Sequence, residues 1–261
     1  MNNQTSTQDA ILISDHSSGP YGYRVITLNR PDFFNAITDE MIETLNTVLV
    51  QTEATPKIRA IIIASSSDKS FCSGADLRDF YHADLAKLKI HCRGFARLFI
   101  AMRKSRLLIV SAVNGFAVGG GMGLVLNSDF ILATKTARFG TPEIKRGVFP
   151  YIIGYLLRRS LPEKCVNEMV YAGQLFSSGQ LNAYGIFSAI RDTREEVQRE
   201  AVYLVEKLLS SSIDEIAQGK MVSAQADQES FAKSLYAYAE ALAINLDKTE
   251  VRAHLRAFLK R

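Results

Sequence analysis

The fold of this 261-residue chain is decided by a stretch near its middle, Asn114-Gly115-Phe116-Ala117-Val118-Gly119-Gly120-Gly121-Met122-Gly123. The stretch follows an apolar run at 107–113 that is typical of a buried strand, and it leads into a helical pattern at 121–127. Free N–H groups at a helix start suit an anion or a developing oxyanion, although a tight packing turn also uses glycines. The spacing fits neither a GxGxxG fingerprint nor a P-loop, since Leu124 replaces the third glycine and no lysine follows Gly120.

Strands alternate with helical patterns on both sides of this stretch. Short apolar runs lie at 58–64, 107–113 and 130–133, and a helical pattern covers 85–102. Strands that are apolar on both faces and are separated by helices favour a mostly parallel sheet with crossover helices. The pattern therefore predicts an α/β fold.

A hairpin and a helix are expected near the N-terminus. Residues 10–14 and 23–28 are rich in strand formers, and the segment 16–20 between them, His-Ser-Ser-Gly-Pro, indicates a turn. A helix should begin near Thr38, because this residue can cap it and two acids that suit the helix dipole follow. Its apolar positions then recur at helical spacing: Met41, Ile42, Leu45, Val48 and Leu49.

The C-terminal third is predicted to be mostly helical. Helical patterns lie at 164–172, 195–209, 212–227, 230–246 and 249–260, and a short strand is predicted at 187–190. We therefore expect three regions along the chain. They are a flexible tail at 1–9, an α/β core at 10–195 and a C-terminal helical oligomerisation region at 196–261.

Composition narrows the classes of function. The net charge of +4 is too small and too dispersed to predict a nucleic-acid partner, and it suits an anionic small ligand. Three widely spaced cysteines and four unpaired histidines predict neither a disulfide framework nor a metal site, and they favour a cytoplasmic location. The N-terminus lacks the apolar region of a signal peptide, and no uncharged apolar run reaches the ~20 residues of a membrane span.

Two further segments carry candidate chemistry. Ser70-Phe71-Cys72-Ser73-Gly74-Ala75-Asp76-Leu77 contains small residues whose backbone N–H groups can approach a ligand, although an ordinary loop would look similar. Phe139-Gly140-Thr141-Pro142-Glu143 places an acid after a proline and before apolar residues. A carboxyl group in such surroundings has a raised pKa, which suits proton transfer near neutral pH. A first-turn glutamate that only favours the helix dipole is the alternative.

Together these segments resemble the enoyl-CoA hydratase/isomerase (crotonase) superfamily in both order and spacing. The other signature pieces are Leu28-Asn29-Arg30-Pro31 and Asn35-Ala36, and the resemblance covers residues ~10 to 190. It implies a crotonase-like spiral of ββα units with a C-terminal helical region, homotrimers or dimers of trimers, and an acyl-CoA thioester as substrate. It also implies that the N–H groups of Ala75 and Gly120 hold the thioester oxygen and that Glu143 is the acid/base.

The resemblance also implies where coenzyme A lies. It requires no separate cofactor, because coenzyme A is part of the substrate. For Arg78 a solvated helix charge is the alternative to a contact near the phosphates. The residues implied to contact the coenzyme are Asp32, Phe33, Phe34, Ser73, Leu77, Arg78, Phe258 and Arg261.

One position departs from the family pattern. Hydratases of this family use two glutamates, and the first of them is replaced here by Gly123. A single carboxylate favours an isomerase, in which Glu143 moves a proton from the α-carbon to the γ-carbon of the thioester. Hydration stays open, with one of six residues as a conceivable second group: Asp76, Asp79, Tyr81, His82, Asp129 and Tyr151.

Two other hypotheses follow from the same glycine. Gly123 is expected to open space beside the thioester, which would allow another reaction of CoA thioesters, such as hydrolysis, decarboxylation or dehalogenation. The missing glutamate would also be consistent with a non-catalytic acyl-CoA-binding protein.

Overall fold

The apolar run before the glycine-rich stretch lies within a six-stranded sheet. The structure is a computed structural model that describes residues 10–80, 82–211 and 213–260, so the predicted tail at 1–9 falls outside it. The first two strands of this sheet are antiparallel, and from the second onward the neighbours are parallel. In spatial order the strands are β1 (Ile11–Ser18), β2 (Tyr21–Leu28), β3 (Ile58–Ser65), β5 (Leu108–Val113), β7 (Phe130–Thr134) and β10 (Ala189–Arg191).

Four short strands form a second sheet, and along the sequence they lie between strands of the first. Its members β4 (Ser70–Cys72), β6 (Phe116–Val118) and β8 (Arg138–Gly140) directly follow β3, β5 and β7, and they are parallel to one another. Each such pair of strands leads into a helix, which confirms the predicted crotonase-like spiral of ββα units. The fourth strand of this sheet is β9 (Phe176–Ser177).

Helices connect the strands and make up most of the C-terminal part. The α-helices are α1 (Asp39–Glu53), α2 (Leu85–Lys104), α3 (Gly120–Leu126), α4 (Tyr151–Arg158), α5 (Glu163–Ala172), α6 (Ser178–Asn182), α7 (Arg194–Leu209), α8 (Ile213–Asp247) and α9 (Thr249–Leu259). Short 3-10 helices cover Pro31–Phe33, Leu77–Phe80 and Pro142–Arg146.

The sheet has buried side chains on both faces, as its apolar strands predict. Ile61 and Ile63 of β3 pack with α1 and α2 in one cluster, whereas Ile62 between them belongs to a second cluster with Val197 and Val205 of α7. Alternate residues of a strand point to opposite faces, so helices must cover both sides of this sheet. The sheet is therefore a rigid support for the loops that leave its strand ends.

Two N-terminal predictions are confirmed with shifted boundaries. The hairpin turn consists of Gly19 and Pro20, and the strands extend to them because the His16 and Tyr23 rings stack across the ladder. The Thr38 side chain caps α1 by accepting a hydrogen bond from the Met41 N–H. The five predicted apolar positions of that helix are all buried.

The C-terminal prediction was wrong in one respect. The two helices expected at 212–227 and 230–246 form a single helix, α8, of 35 residues. The polar residues between the patterns interrupt the apolar periodicity but not the helix, because Glu229 and Ser230 are exposed and neighbouring alanines favour helix. The short strand expected at 187–190 is β10, shifted by two residues at its start and one at its end.

The described residues contain neither a helix suited to span a membrane nor a cluster suited to hold a metal ion. None of the helices in these ranges combines the length and apolar character needed to cross a membrane. No group of three or more His, Cys, Asp or Glu side chains in the same ranges is arranged to hold a metal ion. The three cysteines are free and buried, and burial raises the pKa of Cys72 and of Cys92 to about 12.

Candidate active site

Glu143 is placed by a short 3-10 helix that follows β8. Pro142 occupies the first turn of this helix, where its fixed φ angle and missing N–H cost nothing. Opposite the carboxyl group lies Gly119, whose φ of 52° and ψ of −124° suit glycine alone. A methyl group built on Gly119 would lie 3.4 Å from Oε1 of Glu143. The glycine-rich turn therefore meets the carboxyl group directly.

The surroundings of Glu143 favour its neutral form. Part of the residue faces a cavity, yet protein atoms enclose its carboxyl group, and this desolvation raises the pKa of Glu143 to about 7. A hydrogen bond from its own backbone and the nearby charge of Arg146 act in the opposite direction and do not cancel the effect of burial. A carboxyl group with a pKa near neutrality can both accept and return a proton.

Two backbone donors lie close together beside this carboxyl group. Ala75 forms a parallel bridge with Ile37, in which Ile37 bonds to the residues on either side of Ala75. The N–H of Ala75 therefore points away from the bridge. Gly120 begins α3, so its N–H has no partner within the helix. A methyl group on Gly74 would lie 3.1 Å from the Gly120 nitrogen, so the two segments are in contact.

The carboxyl group and both donor segments line one cavity of about 500 Å³. The structure brings ten of the residues implied by the resemblance to its wall. They are Asp32, Phe33, Phe34, Ser73, Ala75, Leu77, Arg78, Gly120, Glu143 and Phe258. Arg261 lies outside the described residues. Elements that are far apart in the chain thus meet at the cavity, as a binding site requires.

Arg78 is part of an ion-pair cluster at the cavity wall. It pairs with Asp76, which also accepts hydrogen bonds from Arg30 at 3.1 Å. Burial alone would raise the pKa of Asp76, but the hydrogen bonds from these arginines lower it. Both guanidinium groups lie over the ring of Phe33, Arg78 at 4.1 Å and Arg30 at 4.7 Å from its centroid. The cluster fixes Phe33 at the cavity wall.

The expectation of open space at Gly123 was wrong. A methyl group built there would lie 2.2 Å from Cζ of Phe99 and 2.9 Å from Cδ1 of Ile153. Gly123 is buried in α3, and side chains from α2 and α4 occupy the volume that a glutamate would need. Phe99 and Ile153 also line the cavity, so its wall is apolar here.

The described members of the proposed set of second groups have other contacts. Asp76 is held by two arginines, and Asp79 accepts a hydrogen bond from the Asp39 N–H. Asp129 pairs with Lys220 at 2.5 Å, and the Tyr151 ring packs on Phe149. His82 also has an interaction partner, and Tyr81 lies outside the described residues.

His91 is a cavity residue that the sequence analysis did not identify. It lies on α2, one turn before Phe95, and its ring contacts the rings of Phe80 and Phe95. Nδ1 hydrogen-bonds to Asp39, whereas the buried Nε2 has no partner within the described residues. The spacing of His91, Phe95 and Phe99 by four residues places them on one helix face, which was the available signal.

Comparisons with known proteins identify the class of this fold and site. The family described as enoyl-CoA hydratase/isomerase has a model that matches residues 20–261. A probable enoyl-CoA hydratase of Rhizobium meliloti (strain 1021) is 30% identical over 194 residues, which are 72% of each chain. This chain belongs to the enoyl-CoA hydratase/isomerase family. It is therefore an enzyme that acts on acyl-CoA thioesters, as a hydratase or an isomerase.

Solved structures agree with the fold. An enoyl-CoA hydratase/isomerase from Mycobacterium paratuberculosis superposes with a TM-score of 0.86 at 22% identity, covering 95% of this chain and 98% of the other. The human mitochondrial delta3-delta2-enoyl-CoA isomerase gives a TM-score of 0.85 at 20% identity, covering 97% of each chain. The fold is thus shared with a solved enoyl-CoA hydratase/isomerase and with a solved enoyl-CoA isomerase.

Proposed function

We propose that this chain is a Δ3-to-Δ2 enoyl-CoA isomerase in which Glu143 alone moves the proton. The observation that carries the proposal is the filled position at Gly123. Phe99 and Ile153 occupy the place where hydratases of the family carry their first glutamate, so a glutamate side chain does not fit there. Glu143 beside Gly119 is then the acid/base next to the expected position of the thioester.

The proposed reaction is a proton transfer in two steps. Ionised Glu143 removes a proton from C2, and the electrons of that C–H bond form an enolate whose negative charge lies on the thioester oxygen. The carboxylic acid then returns the same proton to C4, and the double bond moves from C3–C4 to C2–C3. A pKa of about 7 suits both steps, because the group must hold the proton only briefly.

In this proposal the N–H groups of Ala75 and Gly120 stabilise the enolate oxygen. Backbone donors held by a β-bridge and a helix start need no reorganisation when the charge develops. Removing one donor from such a site costs ~10²–10³ in rate in other enzymes. Coenzyme A would lie along the wall formed by the cluster of Arg78 and Phe33.

Replacement of Glu143 tests the proposal. Glu143→Gln keeps the size of the side chain but removes the base, and turnover of 3-enoyl-CoA should fall by about 10²- to 10⁴-fold. Absorbance and product mass would be followed with 3-enoyl-CoA and 2-enoyl-CoA. A variant with a near-wild-type rate would exclude Glu143 from the mechanism, and a folded wild type that turns over no enoyl-CoA would refute the proposal.

Hydration of 2-enoyl-CoA is the second candidate, and His91 favours it. The pKa of Asp39 is lowered by its hydrogen bond with His91, so Asp39 is an ionised acceptor for Nδ1–H. In the neutral ring Nε2 is then left as an acceptor that could hold a water. His91→Phe should abolish hydration and leave isomerisation close to wild type; equal hydration by both proteins would exclude His91.

The oligomer and compartment belong to the same proposal. We favour a homotrimer or a dimer of trimers, formed through the C-terminal region at 196–261, in the cytoplasm. Exposed apolar side chains on α8 support the interface. They include Met221, Val222, Tyr236 and Ile244. Buried, unpaired cysteines are consistent with a reducing compartment.

A further inference from the structure

The cavity wall contains two arginines whose surroundings differ. Arg78 is paired with Asp76, as described above. Arg146 lies over the ring of Phe258, 3.9 Å from its centroid, and no carboxylate in the described ranges lies within ion-pair distance of its guanidinium group. A cation that lines a cavity and forms no ion pair with the described carboxylates is a candidate anion-binding group.

The position of Arg146 is energetically unfavourable unless a ligand supplies an anion to pair with it. Arg146 is half-buried, and desolvation lowers the pKa of its guanidinium group. Arginine is rarely removed from water without a paired charge, and the aromatic face of Phe258 compensates only in part. Five N–H donors in a planar fork suit a carboxylate or a phosphate.

The position of Arg146 on the 3-10 helix indicates which of these two anions, a carboxylate or a phosphate, it would bind. Side chains three residues apart in a 3-10 helix lie above one another, so Arg146 is stacked next to Glu143. The charges of the two groups influence each other accordingly. The reacting carbons lie beside Glu143, whereas the coenzyme phosphates are separated from the thioester by the whole pantetheine arm. An anion on the acyl group is therefore the better match.

We propose that Arg146 binds a carboxylate carried by the acyl group, so that the preferred substrates are CoA thioesters of unsaturated dicarboxylic acids. This inference rests on the proposed function only in placing an acyl-CoA with its thioester between Ala75, Gly120 and Glu143. The ring of Phe258 holds the guanidinium plane in place, and the apolar wall around Phe99 receives the carbon chain.

Binding of saturated thioesters tests the inference without any turnover. Calorimetry would compare glutaryl-CoA, which ends in a carboxylate, with pentanoyl-CoA, which has the same number of carbons and ends in a methyl group. Arg146→Met keeps an unbranched stem against Phe258 and removes the charge. Arg146→Met should bind glutaryl-CoA about 10- to 100-fold more weakly than wild type, and pentanoyl-CoA less than 3-fold more weakly. Lys145→Met on the same helix is the matched control, because Lys145 is exposed and does not line the cavity.

Three outcomes decide the inference. A selective loss of glutaryl-CoA binding in Arg146→Met, with both affinities unchanged in Lys145→Met, supports it. Equally weakened binding of both thioesters and of free coenzyme A would show a phosphate contact and overturn the inference, and unchanged binding of glutaryl-CoA would overturn it as well.

If Arg146→Met does not fold, Arg146→Lys keeps the charge without the planar fork of donors and should show a smaller loss of the same selectivity.

Failure of the proposed function gives a different result from failure of this inference. The affinities are measured with thioesters that cannot react, so an enzyme that isomerises no enoyl-CoA can still discriminate between the two acyl groups. Glu143→Gln should lose turnover and keep the preference for glutaryl-CoA. A preference that disappears in Glu143→Gln would assign the selectivity to Glu143 instead of Arg146 and overturn the inference.

Discussion

The buried carboxyl group of Glu143 has a cost for folding that depends on pH. Its pKa rises from 4.5 to about 7 on folding, so between these values the folded state binds more protons than the unfolded state. Stability from this group is fully present below pH 4.5, declines as the pH rises, and is lost once the pH exceeds about 7. A shift of this size corresponds to roughly 3 kcal/mol of unfolding free energy at alkaline pH.

Glu143→Gln should therefore stabilise the protein in a pH-dependent way. The amide is neutral at every pH, so the variant avoids the cost of a buried charge. We expect a higher unfolding temperature than wild type at pH 8.5 and a similar one at pH 5, measured by calorimetry on both proteins. An equal increase at the two pH values would contradict the raised pKa and would indicate a packing effect.

At the scale of residues, the sequence predicted which residues line the cavity better than it predicted their surroundings. Glu143, Ala75 and Gly120 meet at the cavity because their motifs fix local backbone geometry. The filled space at Gly123 depends on Phe99 and Ile153, which come from two other helices. Contacts of this kind have no local pattern, and Arg146 was missed for the same reason. His91 did have a local signal, because it lies at four-residue spacing from Phe95 and Phe99 on one helix face.

At the scale of elements, the backbone conformation of the turn before α3 requires glycine at position 119. Gly119 has a φ of 52° and a ψ of −124°, where a side chain is strained. Gly119→Ala should cost about 1–3 kcal/mol of stability because a side chain is strained at this φ and ψ. Relaxation of the turn would shift the N–H of Gly120 and the contact with Glu143, so turnover should also fall. Urea unfolding and the isomerase assay would measure the two effects.

Gly219 provides the matched control for that substitution. It lies exposed within α8, and a methyl group built there meets no atom within 4 Å. Gly219→Ala should stabilise the protein by about 0.5–1 kcal/mol, since alanine loses less entropy in a helix than glycine does. If Gly119→Ala stabilised the protein as Gly219→Ala should, the special role of Gly119 would be refuted.

Secondary-structure boundaries followed the sequence where capping and periodicity agreed. The start of α1 at Thr38 was predictable because a capping side chain and an apolar stripe coincide there. The length of α8 was not predictable, because the exposed polar residues in its middle interrupt the periodic pattern of buried apolar residues. Such a segment remains helical through intrinsic propensity and through the packed ends on either side.

At the scale of the whole molecule, α8 carries four exposed apolar side chains on one side. Met221, Val222, Tyr236 and Ile244 are 42%, 60%, 43% and 53% exposed. With about 100° per residue, these four side chains lie within a sector of about 140° on one side of the helix. Side chains on one side of a helix can contact a partner together, so we propose this sector as the part of α8 that meets the neighbouring chain in the trimer.

Charges placed in this sector should therefore dissociate the oligomer. We expect the wild type to have the mass of three chains, or of six, in light scattering, and Val222→Lys with Ile244→Lys to shift it towards one chain. Val50→Lys on α1 is the control, because Val50 is 66% exposed, slightly more than Val222 and Ile244, and lies on another helix. A wild type of monomer mass, or a double variant with an unchanged mass, would remove α8 from the assembly. Since α9 directly follows α8 and carries Phe258 at the cavity wall, dissociation should also weaken substrate binding in the double variant.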